Sequence, residues 1–184
     1  WFNVDVQPYG STTVKAKNAI GEDHSAFDYF KIIPNITGVN PINGTVGSGV
    51  TVFGNGFGSS QAIRIAFGVT PTVIILTSET SGSWTVSFTV DTQPFGTTTI
   101  IGINVADENQ RATSTTYIFS IKSKIFEVTP TSGSVGTQVT VSGNGYAISE
   151  QVHIGFGKTR TITMATTNNI GQLVAIFTVD TQCY

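Results

Sequence analysis

Charge is what this sequence has least of. Asp, Glu, Lys and Arg together make up 11% of its 184 residues, less than half of the share of about 25% usual in soluble domains. The formal net charge is −2 at pH 7, and Lys15, Lys17 and Arg111 form no basic stripe. A phosphate backbone therefore has nothing to bind to, and nucleic acid is not an expected partner. No apolar run approaches the roughly 20 residues that cross a bilayer, and residues 1–10 have neither the basic start nor the apolar stretch of an export signal. Any signal or anchor is expected to lie outside this stretch of chain.

Cysteine and histidine are equally scarce. Cys183 is the one cysteine, which excludes an intrachain disulfide. It reads as a free thiol, with an intermolecular disulfide as the alternative. A nucleophile–base–acid set would have to use His24 or His153. His153 reads as a solvent-facing strand residue, and the chain is not expected to be an enzyme.

What is abundant is threonine, at 29 residues, and glycine, at 20, the composition of β-strands joined by tight turns. An internal repeat organises them. Residues 39–93 align without a gap on residues 128–182, an offset of 89. VNPINGTVGSGVTVFGNGF (39–57) pairs with VTPTSGSVGTQVTVSGNGY (128–146), IAFG (65–68) with IGFG (154–157), and FTVDTQ recurs at 88–93 and 177–182. A third copy begins the chain, where FNVDVQPYGSTTV (2–14) matches FTVDTQPFGTTTI (88–100) at an offset of 86. Residues 1–34 thus read as the C-terminal strands of one module, 35–122 as a complete module, and 123–184 as the N-terminal part of a third.

Alternating apolar residues supply the strands of the complete module: Val50 and Val52, then Ile63, Ile65 and Phe67, then Trp84, Val86, Phe88 and Val90. Two more strands are expected over 97–105 and 112–119, joined by the polar turn 106–111. About seven short strands with no credible helix predict an all-β fold of tandem β-sandwiches, one complete and two partial. The GNGF motif (54–57) and its copy GNGY (143–146) predict a turn with positive φ followed by an aromatic that plugs the sandwich end. A phosphate-cradling loop would need a helix and a lysine after the glycines, and neither follows.

On ITGVNPINGTVGSGVTVFGNGF, IAFG and ADENQRATSTTYIF, the chain resembles the IPT/TIG family of immunoglobulin-like modules. The resemblance implies a sandwich of this length and brings no catalytic residues with it. The Cys pairs of receptor ectodomains and the basic loops of DNA-binding members are both missing. The regular repeats look most like a long prokaryotic surface protein, an adhesin or surface-layer component, which implies an extracellular, cell-surface location.

The remaining candidates are small polar clusters. GEDHS (21–25) aligns with DENQR (107–111), so Glu22, Asp23, Asp107 and Glu108 gather carboxylates at one turn, and Asp5, Asp91 and Asp180 recur in the VD-x-Q segments. Hairpin-tip polarity and Asp side-chain bonds to backbone amides explain them without a ligand; calcium, which takes six or more oxygens, is the alternative. No other cofactor is expected. Asn35 and Asn43 stand in glycosylation sequons. Ile101 and Ile103 replace Lys15 and Lys17 on a face expected to be solvated, either as scattered surface apolar residues or as a self-association contact with a neighbouring module or chain. The expected partners are other copies or neighbouring modules, including strand complementation between 1–34 and 123–184. A glycan or a cell-surface protein is the second possibility, with Tyr9, Phe95 and Tyr146 as aromatics at turns.

Overall fold

A computed structural model describes residues 1–20 and 23–182, and of residues 23–26 the backbone alone. Every element among the described residues is a strand. The first copy contributes β1 (Gly10–Lys17) and β2 (Asp23–Ile32). Residues 35–122 contribute β3 (Asn35–Asn40), β4 (Asn43–Gly44), β5 (Gly49–Asn55), β6 (Ala62–Phe67), β7 (Thr70–Thr77), β8 (Trp84–Thr89), β9 (Gly96–Thr98), β10 (Ile100–Asn104), β11 (Arg111–Thr113) and β12 (Phe119–Ile121). The third copy contributes β13 (Lys124–Thr129), β14 (Gln138–Asn144), β15 (Gln151–Phe156), β16 (Thr159–Thr166) and β17 (Leu173–Thr178).

Cα proximity divides these strands into two compact units, residues 1–40, 51–88 and 99–117, and residues 41–50, 89–98 and 118–184. The first unit holds the antiparallel pair β1–β2, the sheet β3–β5–β8 and the sheet β11–β10–β6–β7. Its core follows from the period-2 pattern: Val52, Ile63, Ile65, Phe67, Trp84 and Ile100 are all at most 3% exposed, while Thr85 and Ser87 between the apolar positions of β8 stay in solvent. Phe67 meets Phe88 edge-on at 5.3 Å, and Phe57 meets Trp84 at 6.0 Å, the geometry that aromatic quadrupoles favour.

The second unit holds β4–β12–β9, β13–β14–β17 and the pair β15–β16, around Val139, Val141, Ile154, Leu173, Ala175 and Phe177. The sequence repeat is also a repeat of irregularities. The bulge between Ile36 and Gly38 returns between Ile125 and Glu127, and the one between Ile65 and Phe67 returns between Ile154 and Phe156.

Two expected strands are each two. The alternation over 97–105 breaks into β9 and β10, which lie in different sheets, because the Ile100 amide donates to Ser114 Oγ (2.8 Å) and the Thr99 carbonyl accepts from Gly68 (3.1 Å) instead of continuing one ladder. The alternation over 112–119 similarly divides into β11 and β12. A change of sheet keeps the in-out alternation, so pattern alone could not reveal it.

Ile101 and Ile103 require correction. They lie on β10 with neighbours on both sides, Ile103 opposite Arg64 on β6 and Arg111 on β11. Ile103 is 6% exposed and Ile101 half-buried. Long arginine stems in register on either side can cover a β-branched side chain, so Ile103 is not on the open face the sequence predicted, although Ile75 beside Arg64 on β7 stays 57% exposed.

Candidate functional site

The most developed constellation is a backbone junction built twice. In the first unit the turn Pro8-Tyr9-Gly10 meets the loop before β8: the Tyr9 amide donates to the Phe57 carbonyl (2.8 Å), and the Phe57 amide donates to the Gly82 carbonyl (3.2 Å). In the second unit Pro94-Phe95-Gly96 does the same. The Phe95 amide donates to the Tyr146 carbonyl (2.8 Å) and the Tyr146 amide to the Gly171 carbonyl (3.1 Å). Proline at 8 and 94 has no N–H to leave unsatisfied and presets the turn.

Glycine makes the approach possible. Gly82 has φ +77°, and a Cβ there would lie 2.2 Å from the Phe57 oxygen and 2.8 Å from Pro8 Cα. At Gly171, with φ +74°, the corresponding distances are 2.2 Å to the Tyr146 oxygen and 2.9 Å to Pro94 Cα. The second glycines of the GNG motifs act on the other side of the same aromatics. Gly56 (φ +73°) sits against the Ile33 carbonyl and Gly145 (φ +74°) against the Lys122 carbonyl. The positive-φ turn expected from GNGF and GNGY is therefore present in both copies. Its first glycine makes room instead: a Cβ at Gly54 would lie 2.3 Å from the Trp84 ring.

Two of the VD-x-Q segments carry side-chain hydrogen bonds. Gln93 is 1% exposed and donates to Asp91 Oδ1 (2.8 Å). In the copy, Gln182 donates to Asp180, its Oε1 accepts from the Lys158 amide (2.9 Å), and Thr159 Oγ1 donates to Asp180 Oδ2 (2.6 Å). The Thr159 hydroxyl first and the Gln182 amide second hold the Asp180 carboxyl below the usual carboxylate range. Side-chain partners thus hold Asp180, and one holds Asp91, beside any bond from the neighbouring amides.

At the 107–111 turn the Asp107 carboxylate accepts from the Asn109 side chain (3.0 Å), the Asn109 amide (3.1 Å) and Gln110 (3.3 Å), which lower its pKa. Glu108 pairs with Arg64 at 3.4 Å. Glu22 and the side chain of Asp23 lie outside the described residues, as does Cys183. Among the described residues no three His, Cys, Asp or Glu side chains come together as a metal-ligand set. Asn35 and Asn43 are exposed on β3 and β4. His153 is exposed on β15, with Nδ1 3.3 Å from Thr161 Oγ1.

The two junctions differ in their side chains. Phe57 is fully buried, whereas its copy Tyr146 is half-buried, and burial pushes the Tyr146 phenol up. Tyr9 is half-buried beneath Lys31, whose Nζ stands 5.6 Å from the ring centroid. Phe95 is 59% exposed and borders a shallow cleft of about 380 Å³ shared with Tyr146, Glu150, Gln151, Val152 and His153. Sequence reasoning named the aromatics and missed Gly82 and Gly171. The available signal was their recurrence at the 89-residue offset inside loops, ETSGSW and TNNIGQL, that otherwise differ.

Sheets that are antiparallel except for the parallel β4–β12 pair, no helix among the described residues and duplicated core positions define an all-β, immunoglobulin-like sandwich protein. The IPT/TIG domain family matches residues 34–119, and the chain carries an IPT/TIG domain there. No curated protein matches the chain. Among solved structures, it is similar to SGBP-B of the Bacteroides ovatus mixed-linkage glucan utilization locus, in complex with a mixed-linkage heptasaccharide. That match has 13% identity and a TM-score of 0.32, and covers 91% of this chain and 51% of the other, about half its length.

Proposed function

We propose that the chain is part of an extracellular surface protein in which immunoglobulin-like modules follow one another through stiff, backbone-locked junctions, serving as a spacer and adhesive repeat. The observation that carries this reading is the duplication of the junction. The same two hydrogen bonds and the same two positive-φ glycines join successive sequence repeats, although the side chains around them differ. A flexible tether would need none of these contacts; Gly/Ser-rich linkers leave their backbone to water. Locked junctions transmit force and hold binding surfaces at a set distance.

Amide hydrogen exchange on the whole chain tests this. Slow exchange at the Tyr9, Phe57, Phe95 and Tyr146 amides, retained in high salt and lost in a Gly82→Val/Gly171→Val variant that keeps its β-sheet circular dichroism, is the expected result. Fast exchange at these amides in the unaltered chain would overturn it.

Self-association is the adhesive part of the proposal. Phe2, Val4 and Val14 are 76%, 48% and 44% exposed, while Phe88, Val90 and Ile100, their repeats at the offset of 86, are 9%, 1% and 0% exposed. Strand addition from a second copy's residues 123–184 would cover that face. Light scattering across a concentration series, with and without calcium, tests it. Mass that grows with concentration supports strand exchange, and a constant monomer mass leaves the spacer function alone.

A further inference from the structure

The cleft beside Phe95 has the make-up of a sugar site. We propose that it binds a neutral oligosaccharide, one pyranose ring stacking on Phe95 and its hydroxyls meeting Glu150, Gln151 and His153.

The first junction is an internal control. At the position of Phe95 it has Tyr9, half-buried with Lys31 over its face. At the position of Tyr146 it has the fully buried Phe57. Where the second unit places Glu150, Gln151 and His153, the repeat register gives Gln61, Ala62 and Arg64, and Arg64 is spent on the Pro71 carbonyl (3.0 Å) and Glu108. Each difference in the second unit opens the aromatic face or adds a hydrogen-bonding group near it.

Chemistry selects the ligand class. Phe95 is held by its amide bond to the Tyr146 carbonyl and by the flanking Pro94 and Gly96, so its ring is presented without the entropy cost of ordering a loop. An exposed ring fixed in this way suits the apolar C–H face of a pyranose, with Val152 and the half-buried Tyr146 extending the apolar floor. Around it stand a carboxylate, a carboxamide and an imidazole, whose donors and acceptors match sugar hydroxyls. No lysine or arginine lines the cleft, and Glu150 repels anions, so phosphorylated, sulfated and uronate sugars are disfavoured. The shallow opening fits a stretch of chain.

Affinity electrophoresis of the whole 184-residue chain tests the proposal, with hydroxyethyl cellulose, xyloglucan and galactomannan as neutral probes and alginate as the anionic one. At least one neutral probe retards the chain, Phe95→Ala weakens that association about tenfold or more, Gln151→Ala weakens it about threefold, and Ile75→Ala, an exposed apolar residue on β7, leaves it unchanged. Phe95→Leu keeps apolar bulk and removes the π-face, so it separates stacking from folding should the alanine variant melt early. Retardation by none of the neutral probes, by alginate alone, or undiminished in both Phe95 variants overturns the proposal. The hydrogen-exchange test of the junctions is independent of all these outcomes.

Discussion

Tyr9 and Phe95 sit in turns with the same backbone and meet different fates. Both donate an amide hydrogen bond of 2.8 Å to the carbonyl of a GNG-motif aromatic, yet one ring is half-buried under a lysine and the other is 59% exposed beside a cleft. Proline, glycine and two backbone hydrogen bonds fix the junction, and so its side chains are free to diverge. A repeat array gains from that separation, since modules can acquire new surface chemistry without altering how they join.

The sharpest way to break the comparison is to remove the aromatic under each turn. Phe57 is fully buried against Trp84, so Phe57→Ala is expected to cost about 3–5 kcal/mol. Tyr146 is half-buried, and Tyr146→Ala is expected to cost about half as much. Urea titration followed by tryptophan fluorescence for the first and by far-ultraviolet circular dichroism for the second measures both. Equal costs would mean that exposure does not distinguish the two positions.

The glycines probe what the junctions share. Gly82→Ala and Gly171→Ala each force a side chain into positive φ, at about 1–2 kcal/mol, and into a carbonyl 2.2 Å away. The sum is expected to be about 2–3 kcal/mol at each site, alike in the two because their geometry is alike. Thermal melts of the paired variants give the comparison. A Gly171 variant that is harmless while the Gly82 one is not would show the second junction to be built differently.

Removing the lysine from the first junction tests its side-chain difference alone. Lys31→Ala gives up one exposed cation–π contact, about 0.5 kcal/mol, and uncovers the Tyr9 ring. A larger loss would assign Lys31 a role in holding the turn.

The sequence showed most of the fold and only half of the site. Val52, Ile65 and Phe88 declared their strands by alternation, and the gapless 89-residue offset declared that strands and bulges would recur before any strand was placed. Residues 97–105 misled because a strand that changes sheets at Thr99 keeps its alternation. Ile103 misled because its cover comes from Arg64 and Arg111, distant in sequence and brought together by pairing. Gly82 and Gly171 were inconspicuous because glycine is common in loops, and what singles them out is a carbonyl from another part of the chain. Asp91 and Asp180 drew attention as carboxylates, and each accepts a hydrogen bond from the glutamine two residues on, a partner the repeat placed beside them in both copies.

The smallest expected effect is acid sensitivity, carried by one carboxylate in each unit. Asp107 is lowered first by its bond from the Asn109 side chain, and Asp180 first by the Thr159 hydroxyl. Each has a folded pKa below the ordinary value of 3.8, so unfolding takes up protons in acid. The stabilisation from each is therefore complete above about pH 3.8 and is lost as pH falls through the lower folded value. Both groups are solvent-exposed, which keeps the effect small. Urea midpoints measured from about pH 5 to about pH 2 should fall less for Asp107→Asn and Asp180→Asn than for the unaltered chain. A parallel fall in all three would place the acid-labile interactions elsewhere and leave the two turns held by their backbone and amide bonds alone.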